Sequence, residues 1–170
     1  MLLVMSGLPG TGKSELAQQV GARLRLPVFS VEAIESAVLR SGLAQSFETG
    51  LAAYLVAEAL ADSQLKMGQG VIVDAVNAVE PAKDMWRGLA ARHGLALRVV
   101  ECSCSDEELH RRRLSARGQR FDNFPEPSWE DILRTRLEYT SWREPALAVD
   151  SALPLESNVE RVLAWVQAGG

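Results

Sequence analysis

The chain has 170 residues, of which 47% are hydrophobic and 24% charged, enough for one buried core and too few for two ordinary domains. No stretch is biased enough in composition to read as a disordered tail, a linker or a repeat, so residues 1–170 are expected to form a single domain. A net charge of −4 argues against a nucleic-acid binder, which neutralises many phosphates with a basic field.

The chain opens on Leu2 to Met5, which lacks the charged start and cleavage site of a signal peptide and reads as a buried strand. Further strands are expected at Val28 to Ser30, Val71 to Val73, Leu97 to Cys102 and Leu147 to Val149. Between them the periodicity and caps predict helices at Lys13 to Leu24, Val31 to Arg40, Glu48 to Met67, Pro81 to His93, Asp106 to Arg117, Trp129 to Tyr139 and Asn158 to Gln167. Strands alternating with helices imply an α/β fold, a parallel sheet covered on both faces. Ser105 and Glu108 are spaced as a capping box. The most apolar segment, Leu51 to Leu65, carries Glu58 and Asp62, costly in a bilayer centre, so a cytoplasmic protein with no membrane partner is expected. Cys102 and Cys104 lack zinc-finger spacing to either histidine and read as two thiols, with a disulfide or metal pair as the open alternative. Residues 116–128, with Gly118, Pro125 and Pro127, form a loop between helices; with the end of the preceding helix, about 111–128, this is a candidate lid.

Between the first strand and first helix stands Gly7-Leu8-Pro9-Gly10-Thr11-Gly12-Lys13-Ser14. Gly7, Gly10 and Gly12 permit backbone conformations that let successive N–H groups converge on an anion, and the helix start adds its positive dipole end. Lys13 can reach the β- and γ-phosphates of a nucleotide as a point charge, and the Ser14 hydroxyl can coordinate the magnesium that bridges them. Leu8, Pro9 and Thr11 supply the intervening backbone. This is a P-loop in its required strand and helix context. ATP and Mg2+ are therefore the expected cofactors.

On this loop, on the strand end Val71-Ile72-Val73-Asp74-Ala75-Val76-Asn77 and on Arg113 to Gly118, the chain resembles the AAA-annotated P-loop kinases. That group includes polynucleotide 5′-hydroxyl kinase, zeta toxin and chloramphenicol phosphotransferase relatives. The resemblance implies a P-loop NTPase fold of three α/β/α layers with a five-stranded parallel sheet in the order 2-3-1-4-5. It further implies magnesium-ATP as phosphoryl donor and an alcohol as acceptor.

Asp74 ends a run of buried aliphatics at the carboxyl edge of the sheet, where ligands of open α/β folds bind. By resemblance it holds a magnesium-bound water; a turn or capping aspartate is the alternative. Asn77 either bonds the acceptor or caps the next segment. Glu32 stands after the second strand where relatives place an aspartate that takes the acceptor proton. It is a general base or a first-turn acid favoured by the helix dipole. Arg113, Arg117 and Arg120 share one face while their helix lasts. By resemblance Arg113 flanks the adenine and Arg117 approaches the phosphates. Arg136 and Tyr139 are placed to close the lid from its other side, whereas Trp86, Trp129 and Trp142 read as core or interface anchors.

The expected function is transfer of the ATP γ-phosphate to a hydroxyl of a small molecule, with Lys13, Glu32, Asp74 and Arg117 carrying the chemistry. A nucleotide-dependent ATPase or switch acting on a protein partner is the alternative. A kinase of polynucleotide ends is disfavoured by the acidic balance.

Overall fold

The computed structural model describes residues 1–116 and 126–169. Arg117, Arg120 and most of the candidate lid loop lie outside the described residues. The elements in chain order are β1 (Leu2–Ser6), α1 (Lys13–Leu24), β2 (Val28–Ser30), α2 (Val31–Arg40), α3 (Phe47–Lys66), β3 (Val71–Asp74), α4 (Glu80–Arg92), β4 (Leu97–Ser103), α5 (Glu107–Ala116), α6 (Trp129–Glu138), β5 (Ala146–Asp150) and α7 (Leu155–Gln167).

The five strands form one parallel sheet in the order β2-β3-β1-β4-β5, as the resemblance implies. β1 lies at its centre with Leu2, Leu3, Val4 and Met5 wholly buried, because a central parallel strand is covered on both faces and every position must be apolar. Alternating side chains feed two cores. Leu2, Val4, Val71, Val73 and Val99 pack beneath α3 and α4 with Trp86 and Leu89. Leu3, Met5, Ile72, Val100 and Val149 pack beneath α1 and α7 with Leu16, Val20 and Val159. No helix among the described residues is long and apolar enough to cross a membrane.

The structure corrects one cap. Asp106, not Ser105, starts α5, its Oδ1 accepting from the Leu109 amide at 2.9 Å. The Ser105 amide instead donates to Asp150 Oδ1 at 3.0 Å. Capping boxes occur at Ser46 with Thr49 and at Ser128 with Asp131. The helix predicted from Asn158 begins one turn earlier, at Leu155. The side chain of Asn158 is instead turned back to donate to the Asp150 carbonyl at 2.8 Å.

Candidate active site

The chain leaves β1 at Ser6 and turns sharply through Gly7, whose φ is 147°. A Cβ there would lie 2.2 Å from the Cys102 carbonyl oxygen, so only glycine lets the loop pass this close to β4. Within the loop the Thr11 hydroxyl donates to the Leu8 carbonyl at 2.7 Å, and the Cys102 thiol donates to the Thr11 carbonyl at 3.1 Å. Gly12 caps α1 in the left-handed region with no side-chain hydrogen bond. The first amides of α1 are thus left to an external anion, favoured there by the helix dipole.

The loop is braced from both sides. His110 of α5 is 1% exposed and donates from Nε2 to the Pro9 carbonyl at 2.8 Å. Ser6 Oγ lies 2.6 Å from the Tyr139 hydroxyl and accepts from Trp142 Nε1 at 3.1 Å. Burial pushes the Tyr139 hydroxyl up to about 12, so it stays protonated and able to donate. Neither His110 nor Ser6 follows from the sequence, because each acts through a partner distant along the chain.

Lys13 is buried, and its Nζ lies 3.9 Å from Oδ1 of Asp74. Asp74 pairs with Met5 of β1 and Ser30 of β2 in the sheet register and is 2% exposed. Among the described residues its Oδ1 has no hydrogen-bond partner, the Lys13 ammonium being its nearest counter-charge. A buried carboxylate oxygen without a donor is costly unless something else satisfies it. That oxygen, with the hydroxyl of Ser14 in the first turn of α1, offers hard oxygen ligands of the kind magnesium takes alongside water and phosphate. The residues therefore fit the ion.

Two cavities open on either side of the loop. One, of about 430 Å³, is lined by Gly12, Lys13, Ser14, Arg113, Ser151 and Leu153 among others. Arg113 is fixed there, donating from its guanidinium to Ser151 Oγ at 2.9 Å and to the Ser151 carbonyl at 3.1 Å. The other, of about 460 Å³, is lined by Pro9, Lys13, Glu32, Glu35, Tyr54 and Asp74, with Glu126 and Asp131 opposite. Lys13 borders both.

Glu32 and Glu35 stand one turn apart on α2, which Ser30 caps by accepting from the Ala33 amide at 3.4 Å. Burial, reinforced by the Glu32 charge, raises the Glu35 carboxyl above its ordinary range. Asn77 adopts a positive φ of 54°, which aims its backbone N–H at the Tyr54 hydroxyl, 3.1 Å away. Its side chain is consumed by the core, accepting from Trp86 Nε1 at 2.8 Å and donating to the Met5 and Ala75 carbonyls. Asn77 is thus a turn residue with no group left for an acceptor. Burial pushes the Tyr54 hydroxyl up to about 12, with the charges of Glu35 and Asp74 adding to it.

Arg136 and Tyr139 do not share a helix face turned toward that cleft. Arg136 lies over the Trp129 ring, 5.7 Å from its centroid, and Tyr139 ends α6 pointing at Ser6. Both border a third cavity, beside Gly7 and Glu101. Cys102 and Cys104 are both free, and burial pushes the Cys102 thiol up to about 11. Among the described residues no cluster of histidine, cysteine or acidic groups forms a separate metal site.

Residues 2–138 match the family model of the AAA domain. The chain belongs to the AAA domain family. No curated protein sequence matches this AAA-domain protein, but its fold is that of many solved structures. A protein from Chloroflexus aurantiacus J-10-fl superposes with a TM-score of 0.76 at 24% identity, over 99% of this chain and 97% of the other. The Mycobacterium tuberculosis APS kinase CysC, solved with AMPPNP and APS, gives 0.72 at 18% identity, over 98% and 96%. Kti12 from Chaetomium thermophilum, solved with ADP-AlF3, gives 0.73 at 19% identity, over 99% and 98%. The fold of the chain is the P-loop NTPase fold that these structures share.

Proposed function

We propose that this AAA-domain protein is a phosphotransferase that moves the γ-phosphate of magnesium-ATP to a hydroxyl of a small molecule. The observation that carries the reading is the place of Lys13, a buried ammonium forming the common wall of two cavities. A donor nucleotide lying along the loop on the Arg113 side puts its terminal phosphate at Lys13, within reach of an acceptor held on the Glu32 side.

In this reading the amides of Gly10, Gly12, Lys13 and Ser14 hold the β-phosphate, the Thr11 amide being taken by the Leu8 carbonyl, and Lys13 follows the γ-phosphate as it moves. Ser14 and Asp74 hold the magnesium, which neutralises charge on the phosphates. Glu32 orients the acceptor hydroxyl and receives its proton. Arg113 flanks the base, while Arg117 and Arg120 approach the phosphates from the candidate lid at about 111–128. Glu126 and Pro127, at the end of that segment, already wall the acceptor cavity. Two free thiols and the lack of a membrane-crossing helix among the described residues support a cytoplasmic setting.

The test is incubation with magnesium-ATP and a broad panel of alcohols, with phosphorylated products read by mass spectrometry. A phosphorylated alcohol whose yield collapses in Lys13→Ala supports the reading. A protein that binds magnesium-ATP yet phosphorylates no alcohol overturns it.

A second reading, a nucleotide-dependent ATPase acting on a protein partner, is favoured by one observation. Phe47, Leu51, Leu55 and Leu60 are exposed along α3, and Kti12 shows that the fold is not confined to proteins described as kinases. ATP hydrolysis that no small alcohol stimulates is the result that would favour it.

A further inference from the structure

A surface helix ordinarily turns polar side chains to water and apolar ones to the core. α3 breaks this pattern along its outer side. It approaches the sheet through Ala53, Ala57 and Ala61, so larger apolar side chains are left outside. Every exposed residue between Gly50 and Ala61 is leucine, valine or alanine: Leu51, Leu55, Val56, Ala59 and Leu60. Phe47, 80% exposed, and Met67, 60% exposed, close the two ends. Of the twelve large hydrophobic side chains exposed among the described residues, seven lie between Leu43 and Met67, so this is one patch and not the scatter of an ordinary surface. The acids of the same stretch do not interrupt it. Glu58 and Asp62 are turned toward α4 and its end, paired with Arg92 at 2.6 Å and with His93 at 2.7 Å.

Charge returns only at the two ends of the patch, and with opposite sign. Glu48 and Lys66 are both exposed, and Lys66 is tied only to Asp62 of its own helix, at 2.6 Å. Eighteen residues separate them, which is five full turns, so the two lie on one line along the helix about 27 Å apart. Leu55 and Ala59 stand on either side of the midpoint of that line and within about 20° of it. The face is therefore complementary to itself. Turned end for end, it sets a large side chain against a small one at its centre and an acid against a base at each end.

We infer that the outer face of α3 is an interface between two copies of this chain, packed antiparallel about a two-fold axis that passes between Leu55 and Ala59. In that pairing Leu55 of each copy covers Ala59 of the other, and Glu48 of each meets Lys66 of the other. A shallow crossing of about 20° keeps the ends within reach. A parallel pairing is disfavoured, since it sets Glu48 on Glu48 and Lys66 on Lys66. A lipid surface is a poorer occupant, because Glu48 and a net charge of −4 are repelled by anionic headgroups. A single helix seam stands at the small end of specific interfaces, so association at micromolar concentration is expected. The inference is independent of the reaction proposed above.

The experiment is sedimentation velocity on the full chain from about 1 to 200 µM, followed by cross-linking. The expected result is a concentration-dependent passage from monomer to dimer. Leu55→Glu places two carboxylates at the centre of the seam and should weaken association at least about tenfold. Its circular dichroism and its affinity for magnesium-ATP should be unchanged, because Leu55 is exposed in the single chain. Register is read with Glu48→Cys and Lys66→Cys, each made in Cys104→Ser and treated with a short bismaleimide. The two variants mixed should give a covalent dimer, whereas either alone should not, its thiols lying at opposite ends of the seam. A chain that stays monomeric at the highest concentration overturns the inference and leaves the face to a different protein. A dimer that Leu55→Glu leaves intact, or one in which either cysteine variant cross-links to itself as readily as the mixture does, overturns it as well.

Discussion

The imidazole of His110 donates from Nε2 to the carbonyl oxygen of Pro9 at 2.8 Å, so α5 holds the phosphate loop from outside it. Gly10 makes this contact possible, because a Cβ there would meet the ring carbon of His110 at 3.0 Å. His110→Ala leaves the half-buried Pro9 carbonyl without this donor and frees the loop. The expected outcome is about a tenfold rise in Kd for magnesium-ATP, measured by calorimetry, with the overall fold retained by circular dichroism.

Lys13 Nζ and Asp74 Oδ1 lie 3.9 Å apart and are assigned different tasks, so their variants should separate. Lys13→Ala removes a charge aimed at the transferring phosphate and is expected to lower kcat by about 100-fold or more. Asp74→Asn weakens the hold on the metal, so the magnesium concentration for half-maximal activity should rise about tenfold. A magnesium titration of both variants checks this. Chelation with EDTA should abolish transfer by either.

The loop and the parallel sheet were legible in the residues because each leaves a local mark, glycines at fixed spacing and short aliphatic runs between helical patterns, whereas the strand order came only from the resemblance to a known family. The acceptor side left no such mark. Leu51 to Leu65 of α3 is the most apolar segment of the sequence, yet the residues this helix buries are Thr49, Ala53, Ala57, Ala61 and Leu65, while Leu51, Leu55 and Leu60 face outward. Small side chains let this helix lie close to the sheet, and hydrophobicity alone points to the wrong face. Tyr54, on the same helix, enters the cavity only because of that rotation. Glu35 carries no mark of its own in the sequence. Its spacing of three from Glu32 was the available signal, since it puts both on one face.

Glu32 provides a test of how much the reaction depends on taking the acceptor proton. If it accepts that proton, Glu32→Gln should lower kcat by about 100-fold with nucleotide affinity unchanged. A residue serving only the helix dipole would change kcat less than about twofold. Presteady-state measurement of product formation, separating chemistry from release, decides between these outcomes; the larger loss is expected.

Lys83 is wholly buried. Its ammonium donates to the Thr140 carbonyl and, at 2.7 Å, to the Thr140 hydroxyl. It also lies 5.0 Å from the centre of the Tyr139 ring and 5.3 Å from that of Trp142. It therefore ties α4 to the chain that carries the Ser6 brace. Lys83→Met strands those acceptors and is expected to cost about 3 kcal/mol, or roughly 10 °C in Tm for a chain of this size. Differential scanning calorimetry measures it.

Glu35 makes stability depend on pH in the direction opposite to a salt-bridged acid. Its carboxyl is raised in the folded protein, first by burial and then by Glu32, so the unfolded chain gives up this proton at a lower pH than the folded one. Below the unfolded value both states are protonated and the group is neutral in effect. As pH climbs from there through the raised folded value, the unfolded state is progressively favoured, and the full penalty remains at neutral pH. Glu35→Gln removes it, so the variant should melt at a higher temperature than the parent at pH 7, and the gain should vanish near pH 4. Both melting curves are to be taken without nucleotide. A stabilising change at a carboxylate lining the cavity beside Lys13 is the expected signature of a site that gives up stability for function. A variant less stable than the parent at pH 7 would mean instead that the carboxylate is held by favourable contacts.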